Sequence, residues 1–314
     1  MIGSQAKIFV AGHRGLIGSA VMRRLQSAGH ENILTRLRSE LDLTDQKKVN
    51  VFFREEQPEY VILAAGQVGG IAENSRYPAD FIYNNLMIQA NVMKAARETN
   101  VGRLIFFGSS CMYPLDAPQP FREESLLQGP LEKTSLAYAV AKLAGVHMCL
   151  AFNQQDGSKR FIPVIPNSTY GENDDLNPES GHVLSALVRR LDDARKNQSE
   201  GVELWGSGTP RREFIHSSDV AEACLTIMTS DLSDVELPVN IGTGEDISIK
   251  ELAEMIGEIT GFAGQIGWDT SRPDGAPQKL LDHARISSLG WQPAVGLREG
   301  IQDFYQWYRT RSAS

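Results

Sequence analysis

Cysteine is scarce in this chain: Cys111, Cys149 and Cys224 are the only three in 314 residues. Their odd number and irregular spacing argue against a disulfide framework and against a cysteine metal knuckle. They fit a reducing compartment, so a cytoplasmic location and no metal are expected. Positive charge is also short. Lysine and arginine total 31 against 39 aspartates and glutamates, a formal net charge of -8. That argues against a nucleic-acid surface, while local arginines remain free to meet an anionic small molecule. Long apolar runs are missing as well. No stretch approaches 18 consecutive apolar residues, so no membrane span is expected. The opening MIGSQAKIFVAG lacks the basic and apolar regions of a signal peptide. Internal repeats and low-complexity tracts are absent.

What is present is ordinary globular composition, 41% hydrophobic and 22% charged, arranged as short apolar runs alternating with amphipathic stretches. The first run, KIFVA at 7–11, leads into Gly12, Gly15 and Gly18 at spacing three, and then into the amphipathic SAVMRRLQSAG. Strand, G-x-x-G-x-x-G and helix form a dinucleotide-binding fingerprint: a tight turn, close approach of a pyrophosphate to the backbone, and a helix start that meets its charge. The next strand is expected over 32–37. A site for an unphosphorylated ribose would place an acid after it; here stand Arg36 and Arg38, with Arg14 in the first loop. Arginines suit a 2'-phosphate, so NADP (NADPH) is the expected cofactor, with Asp42 near the adenine amine.

Further apolar runs at 60–65, 104–107 and 160–165 complete a series of βα units, which predicts an α/β fold: a Rossmann-type doubly wound parallel sheet. After about residue 170 the pattern changes to Gly, Asn, Asp and Pro, and shorter strands and helices follow. The expected division is a dinucleotide-binding domain over 1–170, with returning segments near 214–243. A smaller interleaved C-terminal α/β lobe for substrate is expected mainly over 171–314. A helix is expected over 182–191, with Ser180 as its cap. The proline-rich stretch at 114–135 has the length of an active-site rim.

The chemistry-bearing stretch runs from Ser109 to Lys142. GSSCMYP follows the buried strand LIFFG, and SLAYAVAKLAG reads as a helix on which Tyr138 and Lys142, four residues apart, share a face. A lysine beside a phenol is expected to lower the phenol's pKa and so tune it to exchange a proton with a carbonyl oxygen as hydride is transferred. The pair alone is commonplace on surface helices, and its reading depends on the glycine fingerprint and on Ser109.

The strings GHRGLIGS, LRSELDL, VGGI, YPADFIYNN, GSSCMYP, YAVAK, WGSGTPRREF and PDGAPQKLLD span nearly the whole chain. Together they resemble the extended short-chain dehydrogenase/reductase family, and within it the branch acting on GDP-linked 4-keto-6-deoxy sugars. The resemblance implies 3,5-epimerisation of GDP-4-keto-6-deoxy-D-mannose followed by reduction at C4, giving GDP-L-fucose. It implies Cys111 as the base and His182 as the acid of epimerisation, with Ser109, Tyr138 and Lys142 carrying the reduction. It also implies cofactor contacts at Leu16, Ile17, Leu43, Ala64, Ala65, Pro166 and Ser168, and substrate contacts at Arg190, Trp205, Arg212 and Lys279. A homodimer is implied through the helix near 81–99 and the Tyr138 helix.

Three positions depart from the family's pattern: Gln67 in place of a lysine, Ser168 in place of an asparagine, and Gly181 in place of a serine. They keep related GDP-4-keto sugars, of the colitose or deoxyheptose kind, as alternative substrates. A 4,6-dehydratase or 4-epimerase of the same fold is a further alternative. A dehydratase needs an acid near the catalytic serine, where this chain has Cys111. A purely binding protein would not need an intact Ser109, Tyr138 and Lys142.

Overall fold

The computed structural model describes residues 2–177, 181–272 and 274–312. The first half alternates strand and helix: β1 (Ile8–Ala11), α1 (Leu16–Ser27), β2 (Ile33–Leu34), α2 (Gln46–Glu56), β3 (Tyr60–Leu63), α3 (Ile71–Arg76), α4 (Pro78–Glu98), β4 (Arg103–Phe107), α5 (Leu136–Asp156) and β5 (Phe161–Pro166). The second half holds β6 (Ser168–Tyr170), α6 (Val183–Lys196), β7 (Gly201–Trp205), β8 (Arg211–Arg212), β9 (Phe214–His216), α7 (Ser217–Thr229), β10 (Val239–Ile241), β11 (Ile247–Ser248), α8 (Ile249–Thr260), β12 (Gln265–Asp269), β13 (Gln278–Lys279), α9 (Ala284–Ser287) and α10 (Leu297–Ser312).

Six strands form one parallel sheet in the order β10-β5-β4-β3-β1-β2. A parallel sheet is covered on both faces, so its strands read as unbroken apolar runs rather than alternating ones. The side chains nonetheless divide by parity. Ile8, Val10, Ile62, Ile105 and Val164 join a core with α1 and α7, whereas Phe9, Val61, Leu63, Leu104 and Phe106 join one with α2, α4 and α5. A third core, built on α6, α8 and α10 around Tyr170, Leu187, Leu252 and Phe304, lies in the C-terminal half. β10 returns to the edge of the main sheet beside β5, so strands late in the chain serve the early sheet.

Several expected boundaries shift. The second strand is two residues rather than six. Arg36 turns back onto α2 there, with its guanidinium over the Phe52 ring and 2.5 Å from Glu56. The helix expected over 182–191 starts at Val183, runs to Lys196 and has His182 at its N-cap; Ser180 lies outside the described residues. The proline-rich stretch is only partly a rim. Phe121 stacks on Tyr113, and Glu123 accepts the backbone N–H of Asn240 at 2.9 Å. α5 and its preceding turn, 133–156, match a membrane-crossing helix by length and composition alone, although Lys142, His147 and Asn153 keep any consecutive apolar run within it short. The helix packs in the core, however, and carries buried Lys142 and Asn153, as befits a central helix covered on two sides.

Candidate active site

The sheet order reverses at β1, whose neighbours are β2 on one side and β3 on the other, and such switch points open a crevice at the strands' C-terminal ends. The loops after β1, β3, β4 and β5 border a cavity of about 430 Å³ there. Its lining includes Gly15, Leu16, Ile17, Gly18, Ala64, Ser109, Cys111, Tyr138, Lys142, Pro166, Ser168, His182, Arg212 and Lys279. Residues as far apart in sequence as Gly15 and Lys279 thus line one cavity, and four parallel strands bring their ends to its edge.

The dinucleotide fingerprint suits a dinucleotide on physical grounds. Gly15, the N-cap of α1, has no side chain to cap the helix, which leaves its first N–H groups toward the cavity. A Cβ on Gly18 would stand 2.1 Å from the Gly12 carbonyl oxygen, so only glycine lets the helix start this close to the strand. The three arginines separate. Arg14 is exposed at the mouth of the loop. Arg38 is 82% exposed, its Nε 3.9 Å from Asp42. Arg36 pairs with Glu56 and lies over the Phe52 ring. Asp42 accepts from the Thr44 N–H at 2.9 Å and the Thr44 hydroxyl at 2.8 Å, and these bonds hold its carboxyl below the usual carboxylate range. Gly12, Arg14, Arg36, Arg38, Asp42, Leu43 and Ala65 lie outside the cavity wall itself; Leu43 is packed against the α2–α4 core.

β4 delivers Ser109, and α5 lays Tyr138 and Lys142 beneath it. Ser109 caps the short turn Ser110–Met112, its hydroxyl accepting the Cys111 N–H at 3.3 Å. Lys142, 5% exposed, donates to the Phe107 carbonyl at 2.9 Å. Its ammonium lies over the Tyr138 ring, 5.8 Å from the centroid. The expected lowering of the phenol's pKa by Lys142 is not what this geometry produces. Burial pushes the Tyr138 phenol up, the nearby Cys111 sulfur adds to the rise, and a hydrogen bond with Ser109 opposes it. Burial also lowers Lys142 to about 8. The reason is that both groups are out of water, where each charged form is penalised, and the ammonium faces the ring and a carbonyl rather than the phenolic oxygen.

On the opposite side stand the cations and His182. Lys279 Nζ lies 3.2 Å from Glu132, and Glu132 is held below the usual range by Lys279 against the effect of its own burial. Burial lowers Arg212, opposed by Glu132 and Cys111. His182 Nδ1 is 3.3 Å from Asp174, whose carboxylate raises the imidazole's pKa. Trp205 and Arg190 are not in the cavity wall. Trp205, at the end of β7, is 68% exposed and carries the Arg272 guanidinium 5.1 Å from its ring centroid. Arg190 donates to the Glu203 carbonyl at 2.6 Å.

Gln67 receives the Asn84 amide at 2.8 Å, and its backbone exchanges bonds with Asn85, so the loop after β3 is tied to α4. Gly181 has a steric reason: a Cβ there would stand 2.4 Å from the Asp175 carbonyl oxygen. Four polar residues at the site were not singled out from the sequence: Asp174, Ser185, Asn167 and Glu213. Asp174, one of a pair of aspartates eight residues before His182, was legible only as part of a turn-rich stretch.

Comparison with known proteins agrees with this geometry. The model of the "NAD dependent epimerase/dehydratase family" matches residues 8–242, well over half of the chain. GDP-L-fucose synthase 1 of Arabidopsis thaliana is 50% identical over 308 residues, covering 98% of this chain and 94% of its own. A GDP-6-OMe-4-keto-L-xylo-heptose reductase from Campylobacter jejuni superposes with a TM-score of 0.92 at 39% identity over 99% of both chains. A GDP-mannoheptose C4 reductase from the same organism, solved with NADP bound, gives 0.89 at 41% identity over 98% of this chain and 100% of that one. With its fingerprint, its doubly wound sheet and these relatives, the chain belongs to the NAD dependent epimerase/dehydratase family.

Proposed function

We propose that the chain is an NADPH-dependent epimerase/reductase that inverts C3 and C5 of GDP-4-keto-6-deoxy-D-mannose and then reduces C4, yielding GDP-L-fucose. The observation that carries this reading is the convergence of Cys111 and His182 with Ser109, Tyr138 and Lys142 on one cavity. Protons at C3 and C5 are acidic because the C4 ketone takes up the charge as an enolate. Cys111, as thiolate, removes one proton, and protonated His182 returns one to the other face. Ser109 and the Tyr138 phenol donate to O4 as negative charge gathers there, in both the enolisation and the reduction. NADPH, when bound, supplies the hydride that reaches C4. Tyr138, kept protonated by burial, then gives its proton to O4. Lys142 holds positive charge beneath the pair. Arg212 and Lys279 offer the cationic wall that a diphosphate or its sugar needs.

Supplying GDP-4-keto-6-deoxy-D-mannose and NADPH tests the reading. Expected are NADPH oxidation, deuterium uptake at C3 and C5 in D2O, and GDP-L-fucose by NMR. Cys111→Ser is expected to suppress the exchange at least about 100-fold. Absence of both exchange and oxidation refutes it. A second reading, a C4 reductase for a GDP-linked 4-keto heptose, is favoured by the similarity to the two Campylobacter reductases, and the same NMR product analysis distinguishes it.

We further propose a homodimer formed by α4 and α5. Tyr83 of α4 is 62% exposed, and Leu136 and Val140 of α5, four residues apart, are exposed on one face.

A further inference from the structure

The segment between β6 and α6 carries more built structure than a connecting loop requires. Asn173 reaches back to α1, its amide donating to the Ser19 hydroxyl at 3.0 Å. The next residue, Asp174, is buried. One of its oxygens faces His182 Nδ1 at 3.3 Å and accepts the Asp175 N–H at 2.9 Å; the other accepts the hydroxyl of Ser185, which is itself fully buried on the first turn of α6. The Gly181 N–H closes the loop onto the Asn177 carbonyl at 2.7 Å. A carboxylate offers only acceptors, so the nitrogen facing it carries the hydrogen. With Nδ1 so engaged, Nε2 is the nitrogen left to serve the cavity that His182 lines.

We propose that Asp174, clamped by Ser185, is the positioning residue of His182: it fixes the imidazole's orientation and tautomer so that Nε2 delivers the proton in epimerisation. This rests on the epimerase reading above. A carboxylate that orients an imidazole through Nδ1 and stabilises its charged form is a general device of acid–base sites. The ion pair has few competitors. Asp175 on the same loop adds negative charge near His182. From the other elements, Cys111, Tyr138, Lys142, Arg212 and Lys279 line the same cavity, and the charges that act on His182 most strongly are those of Asp174 and Asp175. With His182 acting as an acid, the Asp174 charge keeps it protonated to higher pH.

The test uses the full-length enzyme labelled with 15N-histidine, His182 being assigned by the signal lost in His182→Gln. In the wild type, neutral His182 is expected as the Nδ1–H tautomer. Asp174→Asn, which keeps the side chain's shape, is expected to lower the His182 pKa by about one unit. The basic limb of C3/C5 deuterium exchange is expected to move to lower pH by the same amount, so that the loss is about tenfold greater at pH 8 than at pH 6. An Nε2–H tautomer in the wild type, an unmoved His182 pKa in Asp174→Asn, or an exchange loss equal at every pH overturns the proposal. Wild-type enzyme that exchanges neither proton overturns the parent reading instead, and the NMR titration still decides whether Asp174 holds His182.

Discussion

Lys142 shows how burial re-ranks expectations drawn from residue spacing. Spacing placed an ammonium beside a phenol; the fold placed that ammonium over the ring, bonded to the Phe107 carbonyl, with burial pulling its pKa from 10.5 to about 8. The reductive step is therefore expected to lose rate on the alkaline side with a midpoint near pH 8. Lys142→Arg, whose guanidinium keeps its proton, moves that limb up out of range, read from NADPH oxidation against pH. The same burial has a stability consequence. The folded state binds the proton less tightly than the unfolded chain does, so stability rises as pH climbs from 8 toward 10.5, and at pH 7 the charge costs on the order of 3 kcal/mol. Lys142→Met is expected to abolish reduction yet raise the Tm at pH 7 by a few degrees, with the gain vanishing above pH 10.5. Calorimetry at the two pH values checks this.

At the scale of elements, the turn after β1 and the end of β2 form the cofactor rim, and their three arginines are not equivalent. Arg38 is solvent-facing and only loosely paired with Asp42, whereas Arg36 is bound to Glu56 and packed on Phe52. Arg38→Ala is expected to raise the KM for NADPH about 10- to 100-fold while leaving that for NADH nearly unchanged. Arg36→Ala is expected to leave the ratio of the two KM values unchanged and to lower the Tm slightly. Steady-state kinetics with both cofactors separate the cases. All three arginines looked alike in the sequence, because composition and spacing do not reveal that Glu56, twenty residues on at the end of α2, reaches back to Arg36.

For the whole molecule, Glu213 is where distant parts of the chain are tied together. It is fully buried between β8 and β9, and burial pushes its carboxyl pKa up. It accepts Asn167 Nδ2 at 2.5 Å, the N–H groups of Thr243 and Gly244 at 2.6 and 2.7 Å, and that of Leu281 at 3.0 Å. Four donors from three other segments thus converge on one side chain, next to Arg212 and Lys279 of the cavity wall. Glu213→Gln turns one acceptor into a donor facing donors and is expected to cost about 2–4 kcal/mol in chemical denaturation. Assembly is tested at the same scale. Tyr83→Glu together with Val140→Glu on the exposed faces of α4 and α5 is expected to yield monomers in sedimentation velocity if the two helices form the proposed interface.

The sequence by itself determined the alternation of strands and helices, the dinucleotide fingerprint and the grouping of Ser109, Cys111, Tyr138 and Lys142. Each of these is local: a glycine turn, an apolar run and an i, i+4 pair are set by backbone geometry over a few residues. It also marked His182, through a motif rather than through any periodicity. Only the tertiary structure decided what those groups experience. It set Lys142 over a ring, bound Arg36 to Glu56, left Trp205 and Arg190 outside the cavity, and gave His182 the partner Asp174. Those outcomes depend on which surfaces are taken out of water and on which carboxylates arrive from segments far away in the chain. Neither is written in residue spacing, because both follow from parallel strands bringing their ends to one edge.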